Sequence, residues 1–250
     1  MPYCGDFSGK NPDESICYLA DNKNFPYGPR EKEELTSILN ALVEKLLKKI
    51  NPKLIVLACN TATITSLAHL RENFPEIPFV GTVPAVKPAL ESGENGKIGV
   101  LGTERTIKEI NNLNLANETR GIFGIAAPEL VDFIESRINS SSEKEKTAIV
   151  NKYIEIFKSA NIKTLVLGCT HFLFLLEEFR RAAYPSIGIF DSLAGITKRV
   201  ERLLDENDKA LRAEKNTLPE YQLIITKNEA DSALWRTRAK SAGFNLAFIN

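Results

Sequence analysis

Hydrophobic positions along this chain switch between a helical spacing and short continuous runs. EKEELTSILNALVEKLLKKI places Leu35, Ile38, Leu39, Leu42 and Leu46 on one face, with acids at its start and lysines at its end. This predicts an amphipathic helix ending near Pro52. LIVLAC follows, a run too short to span a membrane and bounded by turn residues, as in a parallel strand covered on both faces. NTATITSLAHLRENF returns to helical spacing through Ile64, Leu67, Leu70 and Phe74. Later, IPFVGTVPA, KIGVLGT, TLVLGC, IGIFD and YQLIIT read as strands and PELVDFIESRI as a helix. Ser142 and Glu145 form a capping-box pattern before a helix carrying Ile149, Tyr153, Ile156 and Phe157. THFLFLLEEFRRA reads as a further helix, as does a charged segment from Ile196 to Leu204, which a polar loop ending at Pro219 follows.

Strands alternate with helices, so the fold class is α/β with mainly parallel sheets flanked by helices. The polar stretches ESGENG (91–96) and NSSSEKEK (139–146) are the softest connections, and the first could mark a domain crossing. One internal echo stands out. KLIVLACNTAT at Lys53–Thr63 and KTLVLGCTHF at Lys163–Phe172 each carry a cysteine six residues after a lysine, where a strand hands over to a helix.

Composition narrows the partner. The 250 residues suffice for one large domain or two small ones, and the echo favours two lobes. Lys plus Arg and Asp plus Glu balance at 32 each, leaving no basic field for nucleic acid or an anionic membrane. A small-molecule partner is the expectation. No signal peptide and no apolar run of spanning length are visible, so a soluble cytoplasmic protein is expected. Cys4, Cys17, Cys59 and Cys169 follow no C-x-x-C spacing and read as free thiols.

Ligands of open α/β sheets bind beyond the carboxyl ends of strands, where Cys59 and Cys169 both fall. A helix N-terminus after each sulfur favours a thiolate, so a thiol of ordinary pKa ~8.5 is expected to ionise partly at neutral pH. Two such groups on opposite sides of one carbon suit inversion of a stereocentre: one removes a proton and the other delivers one to the opposite face. Cysteine is more often a small buried apolar residue than a catalyst, and Cys4 and Cys17 keep that reading. The matched strand-end positions favour chemistry for the other pair. His171, two residues past Cys169, stands as either an assisting group or a plain helix-start residue, and His69 reads as a surface histidine. Zinc is a weak alternative, because the cysteines lie far apart and lack local pairs.

YLADNKNFPYGPR, VLACNTAT, VGTVPAVKPA, IGVLGT, LVLGCTHF and FDSLAGI together resemble the cofactor-independent glutamate racemases of the aspartate/glutamate racemase superfamily. C-N-T is shared across the superfamily, whereas FPYG with C-T-H points to the glutamate branch. The resemblance implies two similar α/β lobes with the active site in the cleft between them. The first lobe would span 1–88 and 190–250, and the second 89–189. It implies Cys59 and Cys169 as catalytic acid and base, with His171 assisting its neighbour and Glu135 supporting catalysis. Tyr27, Gly28, Asn60, Thr61, Thr170 and His171 would bind substrate, with Thr103 or Thr106 lining the cleft. No cofactor or metal is implied; D-glutamate for cell-wall synthesis is the product, and a homodimer fits the family.

Family members open with an apolar strand and an F-D-S-G-x-G-G loop, whereas this chain opens MPYCGDFSGKNPDESICYLAD. The reading is that MPY follows that missing segment and enters the first helix. Two other functions stay open: racemisation of a related acid such as aspartate, and a truncated, non-catalytic homologue that binds an acidic ligand or a protein partner.

Overall fold

A computed structural model gives the fold. It describes residues 1–92, 96–112, 121–206, 220–227 and 232–249. The middle of the ESGENG connection and the polar loop before Pro219 lie outside the described residues. In chain order the elements are α1 (Pro2–Lys10), β1 (Ile16–Ala20), α2 (Lys32–Leu47), β2 (Ile55–Leu57), α3 (Asn60–Asn73), β3 (Phe79–Gly81), α4 (Val86–Glu91), β4 (Ile98–Gly102) and α5 (Glu104–Asn112). Then come β5 (Ile122–Ala126), α6 (Pro128–Arg137), α7 (Glu143–Ser159), β6 (Thr164–Leu167), a 3-10 helix (Thr170–Leu175), α8 (Leu176–Ala183) and β7 (Gly188–Phe190). The chain ends with α9 (Leu193–Glu206), β8 (Tyr221–Ile225), α10 (Ser232–Ser241) and β9 (Asn245–Phe248). The expected α/β class with parallel sheets flanked by helices is what the structure has.

Two compact units form, one from residues 1–57, 65–80 and 193–250, the other from 58–64 and 81–192. The boundaries differ from those read in the sequence, at 80/81 rather than 88/89 and at 192/193 rather than 189/190, and residues 58–64, expected in the first lobe, fall in the second unit. Packing explains the shift: Ala85 and Val86 are buried with Ile98, Val100 and Val166, and Phe190 packs on the same cluster.

In the first unit β8 lies between β1 and β9, all parallel. Side chains alternate across a strand, so a central strand must be apolar on both faces. Ile224 packs with Leu46 of α2 and with Ile249, while Leu223 and Ile225 pack with Ala239 and Trp235 of α10. β2 pairs with β3 in a separate two-stranded sheet. Val80 of β3 packs with Ile196, Val200 and Leu204 of α9, against which Tyr3 and Phe7 of α1 lie. The DFSG letters at 6–9 thus sit in a helix, where Asp6 accepts from the Thr197 hydroxyl at 2.5 Å. Of the predicted face of α2, Leu35, Leu39 and Leu46 are buried, Ile38 and Leu42 are half-buried, and Val43 takes the remaining buried position, with Glu33 and Glu34 in the first turn and Lys45 in the last.

In the second unit the sheet order is β5-β4-β6-β7, again parallel throughout. One face of β4 packs on α4 through the cluster around Val100. The other meets α7 so closely that a β carbon on Gly99 would lie 2.8 Å from the Phe157 ring. Phe157 is fully buried and meets Phe123 edge to face at 5.9 Å. The Ser142/Glu145 capping box is present, starting α7. Its buried face is Val150, Tyr153, Ile154 and Phe157, whereas Ile156 is exposed. The segment after Cys169 begins as a 3-10 helix instead of an α-helix. Three residues per turn stack Phe172 over Leu175, and both are fully buried. The pattern did not predict β5, where Gly124 interrupts the apolar run because a β carbon there would meet Ile107 at 2.7 Å. Four residues of β9 are likewise too few to show a period.

Candidate active site

Both cysteines of the repeated phrase fall in the second unit. Cys59 lies two residues past β2 and immediately precedes α3. The backbone amides of Ala62 and Thr61 and the Thr61 hydroxyl hydrogen-bond its sulfur, and its carbonyl accepts from Thr63 N–H at 2.9 Å. The expected lowering of this thiol is not what the structure gives. Burial pushes Cys59 up to about 11, outweighing the amide and hydroxyl bonds, and the nearby Cys169 adds to the rise. Cys59 is therefore a protonated thiol at neutral pH in the free protein, set up as an acid, and the two sulfurs lie within electrostatic reach of each other.

Cys169 stands two residues past the end of β6, an interior strand of its sheet, and is 6% exposed. Gly168 seats it: the Gly168 N–H donates to the Leu101 carbonyl at 2.7 Å. A β carbon there would sit 3.1 Å from that same backbone oxygen, so the close approach favours glycine. The Gly168 carbonyl accepts from Asn60 Nδ2 at 2.7 Å. This hydrogen bond ties the residue after one cysteine to the residue before the other. Asn60 is 4% exposed, and its Oδ1 is a buried acceptor with no hydrogen-bond partner among the described residues.

His171 sits in the first turn of the 3-10 helix, with Nδ1 3.6 Å from Cys169 Sγ and Nε2 3.0 Å from Glu135 Oε1 on α6. Burial opposes a charge on this ring, but its hydrogen bonds and electrostatic interactions with Cys169 and Glu135 win and raise it to about 10. At neutral pH an imidazolium thus faces the Cys169 sulfur. Thr103 lies between β4 and α5 and Thr106 in the first turn of α5, their hydroxyls 3.0 Å apart. The Thr106 methyl comes within 3.5 Å of the β-carbon position of Gly168. Asn60, Thr61, Thr103, Thr106, Glu135, Cys169, Thr170 and His171 accordingly share one unit with Cys59. Tyr27 and Gly28 belong to the other unit, in the loop between β1 and α2.

Sequence reasoning missed one support of Cys59. Thr63, one helical turn beyond it, accepts the Thr82 N–H on its hydroxyl at 3.0 Å, and both residues are buried. The second threonine of CNTAT, four residues past the cysteine, was the available signal.

Thiols at the carboxyl ends of strands, one beside an imidazolium, define an α/β enzyme of acid–base chemistry. The chain belongs to the Asp/Glu/Hydantoin racemase family, whose pattern matches residues 8–199. It is 37% identical to the glutamate racemase of Roseiflexus sp. (strain RS-1) over 83% of this chain and 75% of that one. Among solved structures it is similar to Escherichia coli glutamate racemase in complex with L-glutamate and the activator UDP-MurNAc-Ala. There the TM-score is 0.83 at 28% identity, covering 99% of this chain and 93% of that one. The glutamate racemase isoform RacE1 of Bacillus anthracis gives a TM-score of 0.79 at 29% identity, covering 99% and 91%.

Proposed function

We propose that this chain is an isomerase that interconverts L- and D-glutamate by two-thiol proton transfer. The observation that carries the reading is the coupling of Cys59 to Cys169 within one unit, with the Glu135–His171 pair behind the second sulfur. One cysteine, as thiolate, takes the proton from Cα, and the other, as thiol, delivers its proton to the opposite face; the roles exchange with direction. The protonated Cys59 of the free protein is the donor to one face. The proton on His171 stabilises negative charge on Cys169 when that residue acts as base, and Glu135 keeps the imidazolium charged. The thiols themselves supply acid and base, so the reaction needs no cofactor.

A carbon acid this weak needs stabilisation of the developing charge. We assign the amides and hydroxyls of Thr61 and Thr170 to the substrate carboxylates, with Thr103 and Thr106 lining the same site. The buried Oδ1 of Asn60 is an acceptor suited to the substrate ammonium. Tyr27 and Gly28 are assigned to substrate binding, as the resemblance implies. Glutamate is favoured over aspartate by the C-T-H sequence after β6 and by the glutamate racemases that the chain resembles. D-glutamate is then a precursor for peptidoglycan, which places the protein in the cytoplasm, and a homodimer is the assembly we favour.

The test is a side-by-side turnover assay by circular dichroism with glutamate and aspartate. Glutamate should be the better substrate, and Cys59→Ser and Cys169→Ser should each abolish racemisation. Faster turnover of aspartate, or full activity in either variant, would overturn the proposal.

A further inference from the structure

The loop carrying Tyr27 and Gly28 is fastened to a strand that comes from near the other end of the sequence. β1 and β8 run parallel with Ala20 opposite Ile225, so the next residues, Asp21 and Thr226, leave the sheet side by side. The Thr226 hydroxyl donates to Asp21 Oδ1 at 2.6 Å and accepts the Lys23 N–H at 3.0 Å. Asp21 in turn accepts from the Tyr27 hydroxyl at 2.7 Å and from Asn24 Nδ2 at 2.9 and 3.0 Å. Asn22 adds a second tie: its Oδ1 accepts the N–H groups of Thr226 and Lys227 at 3.0 and 2.9 Å, and its Nδ2 donates to the Lys227 carbonyl at 3.0 Å.

We propose that Thr226 is a positioning residue for substrate binding, fixing the Tyr27 loop through the Asp21 carboxylate. The inference rests on the assignment of Tyr27 to substrate made above. Residues 21–31 form neither helix nor strand, so a fixed conformation depends on hydrogen bonds rather than on a ladder. If only a fraction of molecules holds Tyr27 in place, apparent affinity drops by that fraction. Thr226 acts before the chemistry and on both enantiomers alike, so its loss raises KM and spares kcat.

Thr226→Val keeps the shape and removes the hydroxyl's hydrogen bonds to Asp21, to Lys23 N–H and, at 3.3 Å, to Asn22 Oδ1. One of these is charge-assisted, so we expect KM for L- and D-glutamate to rise about tenfold, with kcat within about twofold. Amide hydrogen exchange in 21–30 should quicken in Thr226→Val, and Thr226→Ser should restore both exchange and KM. A core defect would lower kcat or the melting temperature without rescue by serine. Tyr27→Ala serves as the control. If it raises KM while Thr226→Val does not, the clasp is refuted. If Tyr27→Ala leaves KM unchanged, the substrate assignment of the loop is what fails. Should Thr226→Val not fold, Asn22→Ala cuts the second tie and is read against the same outcomes.

Discussion

Replacing Glu135 by Gln isolates the charge that holds the His171 proton. The amide can still accept from Nε2–H, so geometry is kept and only the carboxylate charge is lost. The pair is 3.0 Å apart, with side chains 25% and 32% exposed, so solvent screens it only in part. A charge-assisted hydrogen bond contributes about 1.5–3 kcal/mol against about 1 for a neutral one. The difference, about 0.5–2 kcal/mol before screening, corresponds to roughly one pK unit. From about 10 in the native protein, His171 should therefore titrate roughly one unit lower in Glu135→Gln. The chain has two histidines, His69 and His171, so a His69→Gln background leaves one imidazole signal to follow by NMR between pH 5 and 11. A native His171 titrating at or below its ordinary 6.5 would refute the reasoning, as would a Glu135→Gln titration that coincides with the native one.

Two further predictions concern stability. His171 is raised from 6.5 to about 10 on folding, so its contribution is complete below 6.5 and is lost as pH rises through about 10. Cys59, raised from 9.0 to about 11, adds a loss of the same sign between those values. Calorimetric melting temperature should therefore fall from pH 7 to 10, with a shallower fall in His171→Asn; equal slopes would contradict the pairing. Asn60→Ala removes the buried donor to the Gly168 carbonyl, at a cost of about 1–3 kcal/mol. Each kcal/mol lowers the melting temperature by about 2–4 °C in a chain of this size, and an unchanged value would show that the tie between the two cysteine segments carries no stability.

Elements with strong local signals were legible. α2 followed from its apolar spacing and charge bias, and α7 began at the capping box read from Ser142 and Glu145. Both cysteines lie just past strand ends, as the matched phrases implied. Quantities that depend on packing were not legible. The sequence places α3 amides beside Cys59, which alone argues for a lowered thiol pKa; burial, which no local pattern reports, reverses the sign. The Asn60–Gly168 bond joins residues 108 apart, and the Thr226–Asp21 bond residues 205 apart. Neither has a local signature, because each joins residues far apart in sequence, and the second depends on β1 and β8 pairing in parallel from opposite ends of the chain. The unit boundary at 80/81 was hidden for the same reason: Ala85 and Val86 look like ordinary loop and helix residues until β4 and β6 supply the surface they bury against.

In the proposed reaction two different thiols handle the proton on the two faces of Cα. Initial-rate racemisation in D2O, run from each enantiomer with deuterium followed by NMR or mass spectrometry, tests it directly. The product of each direction should carry deuterium at Cα while unreacted substrate keeps its proton, because the thiolate that removes the proton is not the thiol that delivers one. Deuterium entering recovered substrate as fast as product would mean one base serving both faces, and would contradict it.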